Sequence, residues 1–186
     1  MNRRHLVAGL SGVAALPLAV RFAPGRAFAQ PASPNAPSTP IDGDEYKRLT
    51  LAAGTLAKQT SELALQKAAN PKVKQFAGFE VAEQTAIAQV LTNQLNPPPA
   101  PLGDKHAAVL KELQGLSGAE FDKAYVKAQI EGHSELLTIQ DALTLGKGQD
   151  TASLLATDTA RVATLTKAVI QMHLTLLKDL NDATRG

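Results

Sequence analysis

From Asp42 to Asn181 the chain places apolar residues three and four apart, and no stretch alternates in the manner of a strand. That pattern limits the fold to packed helices. Proline and glycine cut it into pieces. The first runs from about Asp44 to Ala69, with Leu49, Ala52, Ala53, Leu56, Leu63 and Ala64 on its stripe. Asn70-Pro71 ends it and starts the next, with Asn70 as N-cap and Pro71 in the first helical position. The second helix carries Val73, Phe76, Ala77, Ile87 and Leu91, and stops near Leu95 before Pro97-Pro98-Pro99-Ala100-Pro101. A short helix is expected over about Asp104–Leu113. Ser117-Gly118-Ala119-Glu120 reads as a capping box opening the third long helix. Gly146-Lys147-Gly148 closes it. The fourth runs from about Asp150 to Asn181 along Leu155, Val162, Leu165, Val169, Met172, Leu176 and Leu180.

Connection lengths select the topology. The joints at 70–71 and 146–149 are short, so the first two long helices are antiparallel, as are the last two. A helix of about 25 residues is roughly 37 Å long. The partly helical segment 96–117 reaches about as far. It therefore serves as a crossover that sets the third long helix parallel to the second. The expected fold is all-α: a ferritin-like four-helix bundle whose one long crossover carries a short extra helix. The competing arrangement is an up-down bundle with an excursion at 96–117.

Residues 1–29 read as an export signal. Arg3-Arg4 are followed by a mildly apolar run from Leu6 to Val20, too short for a span of about 20 residues, and by Ala27-Phe28-Ala29, a small-x-small cleavage site. The paired arginines with Leu6-Val7 fit the twin-arginine route; an ordinary Sec signal, or an uncleaved anchor, is the alternative. The export machinery is thus the one partner the sequence names. Residues 30–41 form a Pro/Ala/Ser-rich tether, 42–182 the bundle, and 183–186 a tail.

The charge balance changes once the signal is set aside. The whole chain has 19 basic and 17 acidic side chains. Residues 1–29 hold four arginines and no acid, so the remainder has 15 and 17, a net charge of −2. That balance and an aromatic content of 4% argue against nucleic acid as a partner. The mature part has no membrane-spanning segment. With no Cys there is no disulfide, thiolate metal site or Cys nucleophile. Nucleotide-binding glycine loops and the G-x-S-x-G motif are also missing, so nothing marks the chain as an enzyme.

Chemistry is expected where polar side chains interrupt the apolar stripes. Glu80 and Gln84 lie on the buried stripe of the second helix, with Glu83 on its flank. Asp122, Gln129, His133 and Gln140 form a line on the third, between the stripes Tyr125-Gly132-Leu136 and Val126-Ile130-Leu137. His173 is central in the apolar arc of the fourth. The first helix offers Gln59 and Thr60, and His106 on the short helix is expected to be solvated. An unpaired buried carboxylate is costly, so Glu80 should be paired, protonated or metal-bound. One reading is a core polar network in which Glu80 pairs with His133 or His173, with Gln59, Gln84, Asp122 and Gln129 in support. The other is a metal site of Glu80, Glu83, His133 and His173 for iron, zinc or manganese. Glu80-x-x-Glu83 resembles half a diiron set, but the chain has no Glu-x-x-His.

The run Ser117-Gly118-Ala119-Glu120-Phe121-Asp122-Lys123-Ala124-Tyr125, with Gln129-Ile130 and His133, resembles the core motif of the exported bacterial family DUF4142, of unknown function. Gln66-Lys67-Ala68-Ala69-Asn70-Pro71 with Val73-Lys74-Gln75-Phe76-Ala77 resembles its second motif, and His173-Leu174 its third. The resemblance covers about residues 44–180. It implies a ferritin-like bundle in the periplasm or envelope with no established activity. The family's label as an outer membrane protein finds no barrel strands here. Where the family usually has Met-Val-x-Asp-His after Phe76-Ala77, this chain has Glu80-Val81-Ala82-Glu83-Gln84, and Gln59 stands where a Glu is common. Two functions follow as expectations: a non-enzymatic binding or stress-protection protein of the envelope, or a ferritin-like protein that binds or oxidises metal.

Overall fold

The structure, a computed structural model, describes residues 39–145 and 156–185. Those residues form five helices: α1 (Gly43–Lys67), α2 (Pro71–Thr92), α3 (Asp104–Gln114), α4 (Gly118–Thr144) and α5 (Asp158–Arg185). Among the described residues there is no strand, only a single bridge between Ala68 and Gly118. The all-α expectation holds. The expected start of the last helix near Asp150, the Gly146-Lys147-Gly148 stop and Leu155 lie outside the described residues.

The helix ends follow from local chemistry. Asp42 accepts from the backbone N–H groups of Asp44 and Glu45 and so opens α1. Asn70 accepts from Lys72 N–H at 2.9 Å, with Pro71 beside it, as its sequence predicts. Helix α2 stops at Thr92, earlier than expected, because Asn93 adopts the left-handed conformation (φ 53°) and its N–H turns back to Gln89 and Val90. The capping box at 117–120 does not form: Ser117 is the N-cap but its side chain makes no cap bond. The turn there is made instead by Gly118, whose φ of 61° is readily available only without a Cβ.

Helix directions can be read from pairs of contacts. Tyr46, near the start of α1, bonds Gln140 near the end of α4, whereas Ser61 bonds Tyr125 near the start of α4. Helices α1 and α4 are therefore antiparallel. Asn70 meets Asp122, and ten residues on Glu80 meets His133, so α2 and α4 run parallel. The connection carrying α3 is thus a crossover, and the up-down alternative is excluded. Gln140 meets Thr166 and His133 meets His173, which sets α5 antiparallel to α4.

The bundle holds two apolar clusters. One is built around Val73, Phe76, Phe121, Tyr125, Val126 and Leu177. The other contains Leu91, Leu136, Ile139, Leu143, Ala163 and Ile170. The buried stripe of α5 is Ala163, Thr166, Ile170, His173, Leu177 and Leu180. The expected residues Leu165, Met172 and Leu176 are exposed instead, a rotation of one residue around the helix. Helix α5 leans chiefly on α4 and only lightly on α2, so its leucines on the α2 side are left at the surface.

Asp122 fastens the α1–α2 joint. Its carboxylate is buried and accepts from Ala69 N–H at 3.1 Å and Asn70 N–H at 2.8 Å. Replacing it by Ala strands two backbone donors and is expected to cost about 3 kcal/mol in urea unfolding; Asn, which keeps an acceptor, should cost about half of that.

Candidate metal centre

Between the two apolar clusters, α2, α4 and α5 each send one polar side chain inward. The three are Glu80, His133 and His173, all nearly or fully buried. Helical spacing explains their position. Glu80 follows Phe76 by one turn, and His173 lies between Ile170 and Leu177 on the core stripe.

Their ligand atoms converge. Glu80 Oε1 is 2.7 Å from His173 Nδ1 and 3.2 Å from His133 Nε2, and the two nitrogens are 3.2 Å apart. Two ligands at about 2.0–2.1 Å from a tetrahedral ion stand about 3.3 Å from each other. The observed triangle is close to one face of such a tetrahedron. Among the described residues this is the group that could hold a metal ion.

The hydrogen bonds around the centre orient its nitrogens. His133 Nδ1 is 2.8 Å from the Gln129 backbone carbonyl. A carbonyl only accepts, so Nδ1 carries a hydrogen, and Nε2 is the nitrogen turned toward Glu80. His173 Nε2 points the other way, 3.6 Å from Glu83 Oε2. Each imidazole thus turns one nitrogen inward and the other toward an outer oxygen, the arrangement by which proteins aim metal-bound histidines. Phe76 supports both rings, edge-on to His173 at 5.1 Å between centroids and tilted against His133 at 6.1 Å.

Electrostatics bind the group together. Burial pushes the Glu80 carboxyl up, but its contacts with His133 and His173 outweigh that and hold it down at about 2. Burial works against a charged His173, yet its bond to Glu80 and the charges of Glu80 and Glu83 raise it above the ordinary value. Glu83 is raised, first by burial and then by the charge of Glu80. Glu80 Oε2 is buried and has no hydrogen-bond partner. A carboxylate with one oxygen idle is an incompletely satisfied network, and a cation is one way to complete it.

Of the residues singled out in the sequence, Glu80, His133 and His173 come together. Glu83 stands outside, against the far nitrogen of His173. Gln129 donates from Nε2 to Thr60 Oγ1 at 2.9 Å and ties α4 to α1. Asp122 is at the α1–α2 joint. Gln59 and Gln84 line a cleft between α1 and α2. His106 is not solvated: its side chain is 12% exposed and Nε2 lies 3.1 Å from Glu135 Oε1, because α3 packs on α1 and α4. Gln140, also singled out in the sequence, centres a second polar layer whose other members sequence reasoning missed: the Tyr46 and Thr166 hydroxyls both donate to its Oε1, at 2.8 and 3.0 Å. Tyr46 is the only tyrosine in α1, and its placement three residues before Leu49 was the available signal.

Fold and site together define a class: a helical bundle with a buried carboxylate and two histidines at its centre. The chain belongs to the family described as Domain of unknown function (DUF4142), whose model matches residues 28–180. No curated protein and no solved structure matches it. Among the described residues no helix is long and apolar enough to cross a membrane.

Proposed function

We propose that this is an exported, periplasmic helical-bundle protein that binds one divalent transition-metal ion in its core, through Glu80, His133 and His173. The carrying observation is the convergence of three inward ligand atoms, with the His133 ring fixed from outside by the Gln129 carbonyl and the far nitrogen of His173 facing Glu83. Two nitrogens and one carboxylate suit zinc, iron or manganese, with at least one coordination position left over. Glu83 acts as the outer partner of His173. The ferritin-like diiron chemistry is not favoured, since the cluster supplies ligands for one ion. The Arg3-Arg4 signal fits export of a folded, metal-loaded chain, and envelope binding or stress protection is the physiological role that fits such a protein.

The test is metal analysis of protein purified from the periplasm, followed by titration of the chelated protein with zinc, manganese and ferrous ion. One equivalent bound in wild type, and none in His133→Ala, is expected; no stoichiometric metal in any preparation sinks the reading. The 2.7 Å contact between His173 Nδ1 and Glu80 requires a proton that the metal must displace. Affinity should therefore rise with pH, by up to about tenfold per unit while one proton is released. A flat profile between pH 6 and 8 would mean that His173 is not a ligand.

A further inference from the structure

The open seam between α2 and α5 carries most of the bundle's exposed apolar bulk. Among the described residues eight large apolar side chains are exposed, and five of them are Phe79, Val90, Leu165, Met172 and Leu176. Phe79 and Val90 are three turns apart on one face of α2, and Leu165, Met172 and Leu176 follow at intervals of seven and four on one face of α5. The two faces adjoin, because Phe79 and Leu176 line one groove of about 380 Å³ with Phe76 and Leu180. Ala82, Ala86 and Ala168, also exposed, continue the surface between them. The charge that interrupts it, Glu83, is turned inward, with Oε2 3.6 Å from His173 Nε2. Scattered apolar residues need no explanation, but a continuous strip of them marks a surface that another body covers.

Heights along the seam are fixed by the contact of Glu80 with His173. The two helices are antiparallel, so each step up α2 matches a step back along α5. Position 79 is then level with 174, midway between Met172 and Leu176. Position 90 is level with 163, two residues from Leu165. At the groove end Lys72 is level with 181, two residues from Asp179. Both line the groove, both are exposed, and among the described residues neither has an ion-pair partner. Two residues are about 3 Å along a helix, so Phe79, Val90 and Lys72 each have a counterpart on α5 close to their own height.

We infer that this face binds a second copy of the chain, in a two-fold dimer whose axis runs along the helices. Such an axis preserves height and exchanges left for right, so α2 of each protomer lies on α5 of the other. Phe79 then meets the partner's Met172 and the partner's Leu176, Val90 meets the partner's Leu165, and Lys72 faces the partner's Asp179. Apolar residues meet apolar residues, and the charges at the groove end are complementary, twice over by symmetry. A two-fold axis across the helices would instead turn Lys72 toward the end of the partner's α2, where residues 84–96 carry no charge. The face runs about 27 Å along the helices and is two helices, roughly 20 Å, wide, on the order of a standard interface of about 800 Å² per partner. The inference does not depend on the metal, since Glu80, His133 and His173 are all buried beneath this face.

The test is sedimentation equilibrium of the purified protein, with chelator present so that no metal bridges two chains. At about 100 µM the protein is expected as a dimer, since interfaces of this size bind at micromolar affinity or tighter. Phe79→Glu should weaken the dimer by more than about 100-fold, because both copies lose an apolar anchor and bury a charge. Leu165→Glu, at a position 71% exposed in the single chain, should do the same and guards against a misfolded Phe79 variant. Lys72→Glu and Asp179→Lys should each weaken the dimer about tenfold, and the two together should restore it to within about threefold. Only pairing of α2 on the partner's α5 predicts that recovery. A monomer at this concentration, a dimer that survives both glutamates, or no recovery in the double reversal would each overturn the proposal. A monomer that Phe79→Glu releases from phosphatidylglycerol vesicles would overturn it in favour of a membrane surface.

Discussion

Replacing Glu80 by Gln is expected to abolish tight metal binding while leaving the bundle folded. The carboxamide keeps the shape of the side chain and an oxygen for the His173 N–H, so its cost to the metal-free protein should be about 1–2 kcal/mol. Replacing Glu80 by Ala removes the anion facing His173 and should cost about 3–5 kcal/mol, as breaking a buried pair does. Either change should weaken the metal by more than the 10–100-fold that loss of an outer partner costs, because it removes a direct ligand. A metal ion at 100 times its dissociation constant stabilises the wild type by about 2.7 kcal/mol. For a domain of this size that is a rise of roughly 5–10 °C in Tm. The variants should show no such rise. If added metal raises the Tm of Glu80→Gln as much as that of wild type, Glu80 is not a ligand.

The same pair makes the metal-free protein's stability depend on pH, with a definite sign. Glu80 is held at about 2, against an ordinary value of 4.5, so its contribution is present above pH 4.5 and lost as pH falls toward 2. His173 is raised above 6.5, so its contribution is complete below that value and lost as pH climbs through the folded one. Both describe one interaction. The advantage of wild type over Glu80→Ala should therefore peak between these limits, and urea unfolding across pH measures it.

Periodicity made much of this legible. Glu80, His133 and His173 each sit where a core-facing position is expected, and the short and long connections were enough to orient the helices. What periodicity lacks is axial register between helices. It puts Glu80, Glu83 and Gln84 on neighbouring faces of α2, but only packing decides that Glu80 meets the histidines, Glu83 the outside of His173, and Gln84 the α1–α2 cleft. The tautomer of His133 depends on the carbonyl of its own helix four residues earlier, which no pattern of side chains announces. The face of α5 was misjudged because Leu165, Met172 and Leu176 are as apolar as Ala163, Ile170 and Leu177. Their exposure follows from the open seam between α2 and α5, a tertiary property. His106 was misjudged similarly, since its partner Glu135 lies in another helix.

Phe76 should be the most sensitive apolar residue of the centre. It is 3% exposed, packs against both imidazoles, and forms part of the wall between them and the α2–α5 seam. Truncation to Ala removes a buried ring and should cost about 3–5 kcal/mol. It also admits water to Glu80 and frees both imidazoles to turn. Phe76→Leu separates these effects. Leucine restores most of the apolar volume and should limit the stability loss to about 1.5 kcal/mol, but it cannot present a ring edge to His173. Metal affinity should still fall by about tenfold in Phe76→Leu, in the range for loss of a group that orients a ligand. Urea unfolding with chelator present gives the first quantity, and competition against a metal indicator gives the second. Wild-type metal affinity in Phe76→Leu would mean that the histidines are oriented by their polar contacts without the ring. A drop in affinity without a matching drop in stability would show that ring packing helps to set the geometry of the site.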